Sequence, residues 1–326
     1  VSSLIRWCAL VVVGLGILSW YVGPIQADRA GMVIKLPLWP QGAPQANGLS
    51  GPERSGKCAG NITQPTLTAY LPPANKATGA AIVLLSGGSY QVVCIEMEAE
   101  KIAALLVPRG IAALLVPRGI AAIVVKYRIP NQHATIPADD ARQALRVVRQ
   151  RAAEWNINPQ RVGVWGFSAG GHLASTLSTA FDAGQPAATD PIERQSSRPD
   201  FSILFYPVIS MDEGVTHGPS RRNLLGPTPA PELIARYSND QQVSAQTPPT
   251  FLLHAGDDTV VPVENSLQYY RQLVKHQVPA RLVVYETGGH GPTVFQDNPS
   301  WLGVLEDWLR HQQALAGPGA ITARAD

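Results

Sequence analysis

A chain of 326 residues with 45% apolar composition can bury one large core or two small ones. Its formal net charge of +2 gives no basic face for a nucleic acid, so no nucleic-acid partner is expected. The 29 glycines and 28 prolines suit many short connections between regular elements.

Arg6, the apolar run Trp7–Val22, the break at Gly23-Pro24 and the small residue Ala27 give residues 1–27 the order of a signal peptide. The alternative is an uncleaved N-terminal membrane anchor, slightly short for a full span. Either places the remainder outside the cytoplasm, as a periplasmic or secreted protein or one held at the inner membrane. A membrane partner is expected only if the segment stays uncleaved. Cys8 lies inside this segment, which leaves Cys58 and Cys94 as a candidate disulfide, with two buried free thiols as the alternative.

Residues 28–61 hold little periodicity and read as an extended arm with one apolar patch, Leu36–Pro40. The catalytic domain is expected over 62–315, with 316–326 as a flexible tail. Thr66–Leu71 alternates and reads as an edge strand closed by Pro72-Pro73. Ala80–Leu85 is continuously apolar, as a strand buried on both faces would be. It runs into Ser86-Gly-Gly-Ser-Tyr90, where a glycine pair can turn backbone N–H groups toward an oxyanion; an ordinary turn is the alternative.

Ala103–Ile111 recurs unchanged as Ala112–Ile120. A single short duplicate is no solenoid repeat. One copy suffices to end a helix at Pro-Arg-Gly and start the strand Ala121–Tyr127, so the second copy reads as an insertion. Asp139–Trp155 reads as an amphipathic helix with Ala141, Leu145, Val148 and Ala152 on one face. Its aspartates are expected at the helix start, where they suit the macrodipole.

Arg161–Trp165 is β-prone, Gly166-Phe-Ser-Ala-Gly170 follows, and a helical run begins at Gly171. Strand, Gly-x-Ser-x-Gly, helix would hold the Ser168 hydroxyl above a sheet on a strained turn; a Gly-rich turn is the other reading. Phe201–Tyr206 is the next buried strand. Residues 211–247 read as a lid or insertion over the strands' carboxyl ends, with His217, Arg221 and Arg222 either lining a substrate site or solvated. Strand Thr250–His254 precedes Asp257 and Asp258, a helix is expected over 263–275, strand Arg281–Glu286 precedes His290, and a last helix is expected over 301–315. Strands alternating with helices predict an α/β fold: a mostly parallel sheet with helices on both faces.

A serine hydroxyl is a weak nucleophile until a base takes its proton, and an imidazole base needs a carboxylate to orient it. Ser168, Asp257 or Asp258, and His290 follow successive candidate strands in the order serine, acid, histidine, which is that of the α/β-hydrolase fold. The other histidines are poorer bases. His172 sits on the elbow helix, His254 lies inside a strand, His276 and His311 belong to surface helices, and His133 precedes the sheet's centre.

Taken together, Gly166–Ala174, Arg198–Ile209, Asp258–Ser266 and Gly288–Gly291 resemble the bacterial carbohydrate acetylesterases of the α/β-hydrolase superfamily, the acetylxylan esterase or xylanase B-like group. The resemblance covers roughly residues 62–312. It implies Asp258 as the acid, an oxyanion hole from Gly88, Ser89 and Ala169, and acetyl transfer from a small-molecule or polysaccharide ester. It implies no metal or organic cofactor, and the sequence has no cluster with metal-ligand spacing. Tyr90, His217 and Arg221 are the expected substrate contacts. The chain departs from the family pattern in having Ser89 where a third glycine is usual, and in the duplication. Rival expectations are a feruloyl or other carboxylesterase, a peptidase-like hydrolase, or an inactive binding protein on the same fold.

Overall fold

The computed structural model describes residues 32–100 and 114–315. Among these, the strands are β1 (Met32–Pro37), β2 (Ala59–Gly60), β3 (Thr66–Leu71), β4 (Ala81–Leu85), β5 (Val92–Val93), β6 (Ala121–Lys126), β7 (Val162–Phe167), β8 (Ser202–Phe205), β9 (Thr250–Ala255) and β10 (Ala280–Tyr285). The helices are α1 (Thr135–Gln150), α2 (Ala169–Thr179), α3 (Gly218–Leu225), α4 (Pro231–Tyr237), α5 (Glu264–Lys275), α6 (Thr293–Asp297) and α7 (Trp301–His311). The main sheet has eight strands in the order β1-β3-β6-β4-β7-β8-β9-β10. From β6 to β10 every neighbour is parallel, while β1 and β3 are antiparallel. This is the α/β-hydrolase arrangement the alternating pattern predicts.

The apolar runs are continuous because both faces of the sheet are covered. Along β4, Ala81, Val83 and Leu85 join one core with Leu145 and Val148 of α1, Leu173 of α2 and Leu273 of α5. Ile82 and Leu84 point the other way, into a second core with Trp165, Phe205 and the α7 residues Trp301, Leu305 and Trp308. Successive side chains on a strand alternate faces, so each run feeds both cores.

The sheet edge lies one strand further out than expected. β1, inside the predicted arm, pairs with β3 from Met32↔Leu71 to Pro37↔Thr66, so Thr66–Leu71 is interior. The rest of the arm is held by buried polar groups. Asn47 Nδ2 donates to the carbonyls of Ile62 and Ile129, both at 2.8 Å. Trp39 Nε1 donates to Asp140 Oδ1 at 2.7 Å, and Asp140 takes Arg128 in a forked ion pair with both side chains out of water. Asp140 is thus no helix-start residue. α1 begins at Thr135, four residues earlier than the amphipathic pattern suggests, and the carboxylate serves a buried pair that locks arm to sheet. Such a pair is costly to break from one side, because the surviving charge stays buried without its partner.

Of the duplicated segment, the second copy from Leu114 onward forms the turn into β6. Leu114 and Leu115 are buried, Val116–Arg118 forms a short 3-10 turn, and Gly119 takes φ 79° before β6. A Cβ on Gly119 would lie 2.1 Å from the Lys76 carbonyl oxygen, which explains the glycine. The first copy, Ala103–Ile111, lies outside the described residues, as do the predicted leader and tail. Among the described residues no helix is long and apolar enough to cross a membrane.

Candidate active site

β7 delivers Ser168. Its backbone sits at φ 52°, ψ −121°, a conformation unfavourable for a side-chain-bearing residue. Its N–H donates to the Phe205 carbonyl (3.1 Å), and its carbonyl accepts from His172 N–H (3.2 Å) and Val208 N–H (3.0 Å), so neighbours on both sides fix the turn. The flanking glycines allow α2 to follow at close range. A Cβ on Gly166 would meet the Gly170 carbonyl at 2.2 Å, and one on Gly170 would meet the Leu85 carbonyl at 2.0 Å. Both glycines of the motif are therefore required by contact.

The loops after β9 and β10 bring the other two groups. His290 Nε2 lies 3.0 Å from Ser168 Oγ, and His290 Nδ1 lies 2.7 Å from Asp258 Oδ2. A carboxylate only accepts, so Nδ1 carries the proton and Nε2 is free to take one from Ser168. Asp258 Oδ1 accepts the N–H groups of Val260 and Val261, each at 2.9 Å. Burial alone would raise the Asp258 carboxyl. Hydrogen bonds from His254 and His290, the charge of His290 and the Val261 N–H more than offset it and hold the carboxyl well below its usual range. Asp257 is exposed and accepts Gly289 N–H at 2.8 Å, so it ties the histidine loop in place without touching His290's ring. Of the two candidate acids, only Asp258 orients the imidazole.

His254, read as a mere strand residue, backs this acid. Its Nε2 faces the Val261 carbonyl (2.9 Å) and Asp258 Oδ2 (3.2 Å), both acceptors, so Nε2 bears a proton. Its Nδ1 pairs with Ser266 Oγ at 2.8 Å. Tyr206 packs its ring against His290 at 4.9 Å between centroids. No local pattern marks either residue. Tyr206 meets His290 from a strand end far away in the sequence, whereas His254 reaches Asp258 only four residues on, across the turn that closes β9.

The loop after β4 abuts Ser168: a Cβ on Gly87 would lie 2.8 Å from Ser168 Cβ. Gly87 N–H is taken by the Glu98 carboxylate, whereas the N–H groups of Gly88, Ser89 and Ala169 have no acceptor among the described residues. Ser89 adopts φ 58°, a left-handed conformation that explains why a glycine is usual there. Asn223 Nδ2 of α3 holds the Ser89 carbonyl at 2.8 Å.

Two expected substrate contacts are corrected. Tyr90 is 1% exposed and its hydroxyl is spent on His172 Nδ1 at 2.8 Å, a buried pair beneath the loop. His172 Nε2 faces the Tyr237 carbonyl, and burial pushes its pKa down to about 4, so the ring stays neutral. Arg221 is half-buried with its Nε enclosed, and the adjacent Arg222 is the one that reaches open space. His217 is half-buried at the start of α3. Burial, then the charges of His290 and Arg222, lower its pKa, and its Nδ1 pairs with Ser220 Oγ at 2.9 Å.

Cys58 and Cys94 are joined in a disulfide beside the β2–β5 pair. The bond anchors the segment carrying Glu98, since Cys94 N–H donates to the Gly87 carbonyl and Glu98 N–H to the Cys94 carbonyl. Glu98, one acid among several in Glu96–Glu100, was not separable by sequence. Burial raises its pKa to about 7, against the opposing pull of the Gly87 N–H and the Tyr206 hydroxyl. The folded carboxyl keeps its proton to higher pH than the unfolded one. Its contribution to stability is therefore complete below 4.5 and is lost as the pH rises to about 7. Glu98→Gln keeps an acceptor for Gly87 but removes the titration. In urea unfolding at pH 4.5 and pH 8, the wild type should lose about 3 kcal/mol more than this variant. Equal losses would place the pH dependence elsewhere.

Residues 67–273 match the BD-FAE family. The chain belongs to that family. Among curated relatives of this BD-FAE chain, an acetylxylan esterase of Xylanibacter ruminicola is 39% identical over 75% of the chain and 48% of its own length. Endo-1,4-beta-xylanase B of Butyrivibrio fibrisolvens is 33% identical over 73% of the chain and 36% of its own length. The BD-FAE chain thus spans about half or less of the curated relatives it matches. Among solved structures, an acetyl ester-xyloside bifunctional hydrolase from Caldicellulosiruptor lactoaceticus superposes with a TM-score of 0.73 at 36% identity, over 87% of this chain and 97% of that one. The resemblance to acetylxylan esterases and the fold class it implied are both borne out.

Proposed function

We propose that the protein is an exported serine esterase that removes acetyl groups from xylan-type carbohydrate esters through an acyl-enzyme. The observation that carries the chemistry is His290, hydrogen-bonded to Ser168 on one side and Asp258 on the other. The substrate class rests on the relatives, with the acetylxylan esterase of Xylanibacter ruminicola at 39% identity. Export is supported by the Cys58–Cys94 disulfide, which an oxidising compartment favours.

His290 takes the Ser168 proton as Oγ attacks the ester carbonyl. The tetrahedral oxyanion forms beside the N–H groups of Ala169 and of Gly88 or Ser89, which have no acceptor among the described residues and so need no rearrangement to receive it. His290 then protonates the departing sugar oxygen. A water takes the sugar's place and attacks the acyl carbonyl as His290 takes its proton; His290 returns that proton to Ser168 Oγ as the acyl–oxygen bond breaks and acetate leaves. Asp258, held ionised, stabilises the imidazolium at both stages.

The test is acetate release from acetylated xylo-oligosaccharides and from p-nitrophenyl acetate. Release from both supports the reading. Turnover of the activated ester alone would remove the carbohydrate assignment, and preferential release of ferulate would move it to phenolic esters.

A further inference from the structure

A groove of about 530 Å³ opens beside the candidate active site, walled by the arm, the loop after β4, the β6–α1 connection and α3. Three observations define what it can hold. First, its lining includes Arg54 and Arg222 and no aspartate or glutamate. Neither guanidinium makes an ion pair or a side-chain hydrogen bond among the described residues. The nearest acid along the chain, Glu53, is already taken by Lys126 at 2.6 Å. Second, Gln91 and Gln132 present amides with no protein partner among the described residues, above an apolar floor that includes Leu49 and Ile129. Amides beside an apolar surface suit a sugar ring, which has hydroxyl edges and C–H faces. Third, the groove adjoins the loop that carries Ser89. Tyr90 and Gln91 directly follow Ser89, Asn223 holds the Ser89 carbonyl, and the Arg222 charge is felt by His217, which in turn feels His290.

Resting on the acetylesterase reading, we propose that this groove binds a carboxylate-bearing sugar, a uronate substituent, on the same saccharide whose acetyl ester meets Ser168. Guanidinium groups pair with carboxylates through parallel N–H donors, and two of them without an internal acid make a site selective for charge. Leu49, Ser50, Pro52, Arg54 and Asn61 precede the residues that match the family, so the arm supplies the groove's outer wall.

The test is calorimetric titration of the full, oxidised protein with two unacetylated xylo-oligosaccharides of equal length, one bearing a uronate branch and one bare. The acidic sugar should bind about tenfold more tightly at low salt. That preference should shrink in about 0.5 M sodium chloride, where partly exposed charges are screened. It should vanish in the Arg54→Gln, Arg222→Gln double variant. Equal affinities in the wild type would overturn the proposal, as would a preference that persists in the double variant. Because binding is read without turnover, the two readings fail separately. A protein that hydrolyses no ester yet prefers the uronate sinks only the esterase reading. One that releases acetate but ignores the uronate sinks only this one.

Discussion

Ser168→Ala and His290→Ala are each expected to lower kcat by about 10⁴- to 10⁶-fold, and the double variant should fall no further. The two groups act as one device. Without the imidazole the hydroxyl keeps its proton, and without the hydroxyl the imidazole has nothing to activate. The 3.0 Å contact between Oγ and Nε2 is the whole of their partnership in the resting state. The activity left in either variant would come from binding and from the free N–H groups of Gly88, Ser89 and Ala169. Steady-state hydrolysis of p-nitrophenyl acetate by the three variants decides the point. Losses that multiply in the double variant would mean the two residues work independently, and the acyl-enzyme scheme would have to go.

The second large effect separates two adjacent acids. Asp258→Asn should lower kcat by about 10⁴-fold, whereas Asp257→Asn should change it by less than about tenfold. The asymmetry follows from which atoms surround each side chain. Asp258 receives protons from His290, His254, Val260 and Val261, so every neighbour donates. An amide there would turn its own N–H toward one of them, and His290 would be driven to the tautomer that cannot accept from Ser168. Among the described residues Asp257 accepts only Gly289 N–H, which an asparagine oxygen accepts equally well. Measuring both variants on one activated ester checks the contrast. Comparable losses in the two would show that the loop, not the imidazole's partner, is what matters.

The candidate catalytic residues were legible because each follows an apolar strand, in the loop where the run ends and polar residues begin. Ser168, Asp258 and His290 could be read that way, and so could the alternation of strands and helices. The helix α1 was legible too, but not the reason for its aspartates. Asp140 pairs with Arg128 on the preceding β6–α1 connection and with Trp39 from the arm, a contact between elements a hundred positions apart in the chain. Glu98 and His254 were hidden for another reason: each acts on a group close by in the chain, Gly87 and Asp258, through a turn whose path the local residue pattern does not show. Tyr90 and Arg221 were misjudged because loop position predicts exposure, while φ 59° at Tyr90 turns its ring inward and the α3 helix turns Arg222 rather than Arg221 outward. β1 escaped notice because an edge strand needs only one alternating face, and Met32–Pro37 has its best-buried positions only half covered.

The backbone of Ser168 carries a thermodynamic penalty that glycine at the same position would not. Holding a side-chain-bearing residue at φ 52°, ψ −121° costs of order 1–3 kcal/mol. Folding stability and reactivity therefore pull in opposite directions at this position. In any lineage where the reaction ceased to matter, drift would be biased toward losing the serine first, since the surrounding scaffold would become firmer without it. A serine on that turn thus gives up robustness for a hydroxyl held in one place.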